Sequence, residues 1–196
     1  EEGPSELRAM LPERIRKEDP VLQEAEPPKK HQRYAVRALL QELRPELAPI
    51  HYEGSAPCCS DPGHRLSITH DDELVAVDIT PAKSPAGIDL QKVRPEQLRN
   101  VSQRFLNRTE RRDLEGIRDH ELASVLNILW CAKEALYKVF NVSLRDDMHI
   151  RPFGLKSEGD LTGSVRTEKD TERIFELRYC SLGEHHIVHI ADGDFL

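Results

Sequence analysis

The chain has 196 residues, with 28 Lys and Arg against 35 Asp and Glu for a net charge of −7. That balance excludes the basic surplus of a typical nucleic-acid-binding domain, and no apolar run approaches the ~18 residues of a membrane span. A 38% hydrophobic and 32% charged composition predicts a thickly charged surface around one domain or two intimate lobes of about 100 residues. The four cysteines, of which only Cys58 and Cys59 are adjacent, lack CxxC spacing and are too few for a disulfide scaffold, which points to a reducing cytoplasmic setting. The chain opens at Glu1 with neither an initiator Met nor a signal-like segment; the expectation is that a natural N-terminal stretch has been trimmed.

In chain order, residues 1–26 hold eight acidic and four basic residues, interrupted by Pro4, Pro12 and Pro20. They read as solvated or connecting, with one short amphipathic turn at Leu7, Met10 and Leu11. Pro27 and Pro28 are expected to stop any helix. Past the cluster Lys29, Lys30, His31, Gln32 and Arg33, the apolar residues Val36, Leu39, Leu40, Leu43 and Leu47 predict a helix broken at Pro45. Residues 49–62 read as loop. Strands are predicted at 66–70, 74–80 and 87–91, the last two joined by a Pro-rich turn that suggests a hairpin and a lobe boundary. Helices are predicted over 97–114 and 121–140, and strands over 149–153, 161–166, 174–180 and 186–191. The mixture predicts an α+β fold.

Two segments carry chemistry. In Gly87-Ile88-Asp89-Leu90-Gln91, strand alternation puts Asp89 and Gln91 on one face. A carboxylate in an apolar strand needs a cation, a metal or a turn to cap, because burying it alone is costly. In the long helix, Trp130, Lys133, Glu134, Tyr137 and Lys138 fall on one side. Read alone, Glu134 and Lys138 could form an exposed (i, i+4) pair worth about 0.3 kcal/mol. His186 and His189 face opposite sides of a strand, without the spacing of a zinc site. Cys131 reads as a small packing residue.

Ser67-Ile68-Thr69-His70, then Gly87 to Gln91, then Trp130-Cys131-Ala132-Lys133-Glu134-Ala135-Leu136-Tyr137-Lys138 occur in that order. This succession resembles the 4′-phosphopantetheinyl transferase superfamily, whose patterns run S-x-S/T-H, G-I/V-D-I/L-E and W-x-x-K-E-A/S-x-x-K. The likeness extends to Tyr52–Pro57, similar to a Gly-Lys-Pro loop, and to Arg104–Glu110, and covers roughly Lys29 to Asp192. The length resembles the two-lobed, surfactin-synthetase-activating type, which implies two similar α+β lobes related by a pseudo-twofold and a monomer. The implied division is residues 1–84 as the N-terminal, coenzyme A-binding lobe, with a first strand expected before Glu1, and residues 85–196 as the C-terminal, metal-binding and catalytic lobe. Three positions depart from the pattern. Gln91 stands where the family has Glu, Gly54-Ser55-Ala56-Pro57 lacks the loop lysine, and Thr69 replaces the serine before the histidine.

The resemblance implies transfer of phosphopantetheine from coenzyme A to a serine of an acyl or peptidyl carrier protein. Mg²⁺ is implied at Asp89 and Glu134, with Gln91 at the third position, since Mg²⁺ prefers hard oxygen ligands beside substrate phosphates. Glu134 or a bound water would take the serine proton. Lys138 would face the departing phosphate, and His70, Arg33, Arg37 and Lys133 are candidates for coenzyme A, Lys133 facing either the same cleft or solvent. Between Lys92 and Arg118 eight basic residues stand against four acidic ones, a local surplus suited to an acidic carrier or simply a solvated helix face. No nucleic acid or membrane partner is implied. The alternative is a coenzyme A- or nucleotide-binding module of the same fold with weak or no transfer activity, which Gln91 and the missing loop lysine motivate. A metal-dependent diphosphate hydrolase is a third.

Overall fold

The computed structural model of the protein describes residues 4–19, 22, 27–167 and 171–191. The chain separates into two compact units, Glu1–Ser84 and Pro85–Leu196.

The first unit carries helices α1 (Pro4–Met10), α2 (Glu13–Glu18) and α3 (Pro27–Leu43), then a 3₁₀ turn at Pro45–Leu47. Two antiparallel hairpins follow: β1 (His51–Glu53) with β2 (Ala56–Cys58), and β3 (His64–His70) with β4 (Val75–Pro81). Its apolar interior has two parts. Val36, Leu40, Leu47, Ile50, Cys59 and Leu66 form one. Leu7, Leu11, Ile15, Leu22 and Ala38 form the other. The N-terminal segment is therefore not simply solvated. Leu7 of α1, Leu11 between the two helices and Ile15 of α2 are buried in one cluster with Ala38 of α3. Pro27 and Pro28 begin α3 rather than ending a helix, because a proline in the first turn gives up only N–H groups that have no intrahelical partner. Residues 51–58, read as loop, contain β1 and β2.

In the second unit, β5 (Ile88–Lys92), β6 (Met148–Ile150), β7 (Glu158–Arg166), β8 (Glu172–Leu182) and β9 (His185–Ile190) make one antiparallel sheet in the order β5-β9-β8-β7-β6. The Pro-rich turn is thus not a hairpin: β4 pairs with β3, and β5 pairs with β9, a hundred residues later. Helix α6 (Asp119–Phe140) packs along the sheet, accompanied by α4 (Pro95–Phe105) and α5 (Arg108–Asp113). Leu126, Leu129, Ala132 and Leu136 of α6 meet Ile150, Leu161, Leu177, Val188 and Ile190 of the sheet in a continuous core. The predicted helix over 97–114 is split at Asn107, whose side chain accepts from the Glu110 N–H while Glu110 accepts from the Asn107 N–H. This capping box starts α5 afresh. The architecture is α+β. Among the described residues no helix is long and apolar enough to cross a membrane.

Candidate active site

The site is built where the start of β5 crosses α6. A Cβ added at Gly87 would lie 2.5 Å from the Ala135 carbonyl oxygen and 2.7 Å from Ile190 Cδ1. Only glycine lets strand and helix backbones come this close. The carbonyl it approaches belongs to the residue after Glu134. The glycine of the strand motif thus sets the distance at which Asp89 meets the helix.

Asp89 is buried on the helix-facing side of β5. Its Oδ1 accepts from Lys138 Nζ at 3.0 Å, and the same ammonium donates to the Ile88 carbonyl at 2.6 Å. Glu134, one turn before Lys138, is half-buried. Burial pushes its carboxyl above the usual range, the negative charge of Asp89 pushes it further, and Lys138 opposes both. Glu134 thus lies in the opposing fields of the Asp89 carboxylate and the Lys138 ammonium. Cys131, fully buried beside them, has its thiol pushed well up by burial and then by the charge of Asp89. It is a packing residue and no nucleophile.

Gln91 shares the Asp89 face of β5 and is half-buried. Its carbonyl accepts from Asn127 Nδ2 at 2.8 Å, and the same Asn127 nitrogen lies 3.0 Å from His186 Nδ1. His186 stands opposite Gln91 on β9. Burial lowers its pKa to about 4, so the neutral ring accepts the Asn127 hydrogen. An asparagine inside the apolar stripe of α6 was the available signal for this tie, and periodicity alone passes over it.

Two of the expected coenzyme A contacts are spent within the fold. Lys133 has 0% side-chain exposure and faces neither a cleft nor solvent. Its Nζ donates to Glu110 Oε2 and the Phe105 carbonyl at 2.7 Å, to the Leu144 carbonyl at 2.8 Å and to the Met148 carbonyl at 3.3 Å. Burial lowers its pKa against the upward pull of Glu110. Glu110 in turn accepts from the Ile150 N–H at 2.8 Å, so one buried ion pair joins α5, α6 and β6. Arg37 is 1% exposed, and its guanidinium grips Asp19 with bonds of 2.8 and 3.1 Å. Asp19, the buried C-cap residue of α2, meets it on the buried face of α3. Glu110, which sequence reasoning passed over, was marked by the Asn-x-x-Glu spacing of the capping box.

In the first unit, His70 is exposed at the end of β3, and Arg33 is half-buried on α3. The structure therefore brings together Asp89, Glu134 and Lys138, with Gln91 on the same strand face. Carboxylate and amide oxygens are the donor set that a hard cation such as Mg²⁺ takes. The paired carboxylates, one of them held up in pKa, carry the negative charge that such an ion would relieve. The residues fit the metal.

No curated protein matches the chain. A family model described as the 4′-phosphopantetheinyl transferase superfamily matches residues 85–191, more than half of the chain, including every residue of this site. The chain belongs to the 4′-phosphopantetheinyl transferase superfamily.

Proposed function

We propose that the protein transfers 4′-phosphopantetheine from coenzyme A to a serine of an acidic apo acyl or peptidyl carrier protein, releasing adenosine 3′,5′-bisphosphate. In this reading it is a monomeric, cytoplasmic enzyme of the two-lobed, surfactin-synthetase-activating type, its lobes related by a pseudo-twofold. Residues 1–84 form the coenzyme A side, with His70 and Arg33 toward its phosphates. The observation that carries the reading is the meeting of Asp89, Glu134 and Lys138 within the segment that matches the family.

Asp89 and Glu134, with the Gln91 amide oxygen, would hold Mg²⁺, which when bound neutralises and polarises the diphosphate. Glu134 takes the proton of the attacking serine, its carboxyl held above the usual range by burial and by the charge of Asp89. The serine Oγ–P bond forms as the P–O bond inside the diphosphate breaks. Lys138 is anchored on the Ile88 carbonyl and Asp89. It offers a fixed positive charge to the departing phosphate.

Incubation with coenzyme A, Mg²⁺ and a panel of apo carriers tests this: the carrier gains the mass of a phosphopantetheine group. Replacing Asp89 or Glu134 by Ala should lower kcat/KM by on the order of 100-fold or more, and the double variant little further, because groups acting as a unit are not additive. A chain that binds coenzyme A yet modifies no carrier would be the binding module that Gln91 suggests. Cleavage of coenzyme A without an acceptor would make it a diphosphate hydrolase.

A further inference from the structure

The β1–β2 hairpin holds a second group of metal-ligating side chains, on different elements and of different chemistry. β1 and β2 are joined through Gly54 and Ser55, with Gly54 at φ 64°. The register sets His51 directly opposite Cys58 and Glu53 opposite Ala56. Directly opposed residues of an antiparallel pair project on the same face, as do His51 and Glu53 two residues apart. One face of this short ribbon therefore presents an imidazole, a carboxylate and a thiol, with only the small Ala56 at the fourth position. Their ligand atoms all lie within 4.8 Å of one another, and His51 Nε2 is 3.9 Å from Glu53 Oε1.

We propose that His51, Glu53 and Cys58 form a three-ligand site for a borderline divalent transition metal of the Zn²⁺ class. The donor types select the metal. A thiolate with an imidazole favours Zn²⁺ over Mg²⁺ or Ca²⁺, which take oxygen ligands. Zn–S bonds of about 2.3 Å and Zn–N bonds of about 2.0–2.1 Å bring tetrahedral ligand atoms roughly 3.5 Å apart. His51 and Glu53 are exposed and Cys58 half-buried, so side-chain rotation closes the remaining gap without moving backbone. The base of the hairpin is already fixed: the Ser60 hydroxyl donates to the Pro49 carbonyl at 3.1 Å, the Ser60 N–H donates to the Leu47 carbonyl at 3.1 Å, and Ile50 and Cys59 are buried in the first unit's core. On binding, the Cys58 thiol gives its proton to solvent and the sulfur bonds to the metal. Three protein ligands leave a fourth position for water or an anionic ligand, the pattern of an open zinc site.

The test uses the reduced, chelator-stripped full chain titrated anaerobically with Co²⁺. The expected result is a sulfur-to-cobalt charge-transfer absorption that saturates at one Co²⁺ per chain and is displaced by Zn²⁺. Cys58→Ser should abolish that absorption, and His51→Ala and Glu53→Ala should each weaken binding by at least about tenfold. Cys180→Ser, at the exposed cysteine of β8, and Asp89→Ala should leave it intact. That last variant separates the hairpin from the carboxylate pair of the second unit. Absence of the absorption, its persistence in Cys58→Ser, or indifference to both His51→Ala and Glu53→Ala would overturn the site.

Discussion

Lys133 and Lys138 lie five residues apart on α6 and have opposite fates. At 3.6 residues per turn they are about 140° apart around the helix. Lys133 points between α5 and β6, fully buried and bonded to one carboxylate and three carbonyls. Lys138 points at the start of β5 and stays partly exposed. It shares its ammonium between the Ile88 carbonyl and Asp89, with the raised carboxyl of Glu134 beside it. Where charge and hydrogen bonding balance, the group builds the fold. Where an ammonium bonds one carboxylate and a second carboxylate is held up in pKa beside it, the group has the charge arrangement of a binding site.

The comparison is broken most severely on the sealed side. Lys133→Met should lower unfolding stability by about 3–5 kcal/mol, because it leaves the Glu110 charge without its cation and takes the ammonium from the Phe105 and Leu144 carbonyls. Glu110→Gln should cost less in the Lys133→Met background than in the parent, since there it removes a charge that has lost its cation, although it turns one of two oxygens that accept main-chain N–H groups into a donor. Denaturant midpoints of the single and double variants measure this. A strictly additive double variant would mean that the two side chains are not one unit.

Why one lysine was misread from sequence and the other was not follows from angle and distance. Residues 130, 133, 134, 137 and 138 were read as a single face, yet Lys133 and Lys138 stand at its two edges, and only packing shows that the edges meet different neighbours. Arg37 was misassigned because its partner Asp19 lies in a segment whose apolar stripe is masked by acidic residues and Pro12. Asp89 and Glu134 were singled out by the ordered succession of three motifs, since each taken alone also fits a turn cap or an exposed helical pair. Helix α6 and strands β7 to β9 were legible from unbroken periodicity. β1 was not, since all three of its residues are exposed and give no alternation. The pairing of β5 with β9 depends on chain ends that no local pattern connects.

A third buried polar group joins the two regions. His186 is sealed like Lys133 but neutral, and through Asn127 it is tied to the Gln91 carbonyl on the strand that carries Asp89. Its folded pKa of about 4 lies below the ordinary histidine value of 6.5. Between those values the unfolded chain binds a proton that the folded one refuses, so stability is full above about pH 6.5 and falls as the pH drops toward 4. At about 1.4 kcal/mol per unit, the loss approaches 3 kcal/mol. The drop in unfolding midpoint between pH 7 and pH 4.5 should therefore be smaller in His186→Gln than in the parent. Equal drops would show that the ring charges freely in the folded protein.

The smallest expected effect is at Gln91, on the open side. Its carbonyl is held by Asn127, so changing its side chain need not disturb the path of β5. Gln91→Glu adds a third carboxylate to the face that already carries Asp89. A bound Mg²⁺ would gain attraction from it, while coenzyme A phosphates would be repelled, but the ion stands nearer to the new charge than they do. A net gain of roughly 1 kcal/mol corresponds to a Mg²⁺ requirement for half-maximal activity about fivefold lower, with kcat changing less. The competing role for Gln91 is a hydrogen bond donated to substrate or carrier, which a carboxylate cannot replace. Mg²⁺ titrations of both proteins at saturating coenzyme A separate the two. An unchanged requirement with a large fall in kcat would place Gln91 with the substrate rather than with the metal, and the open side would then rest on Asp89 and Glu134 alone.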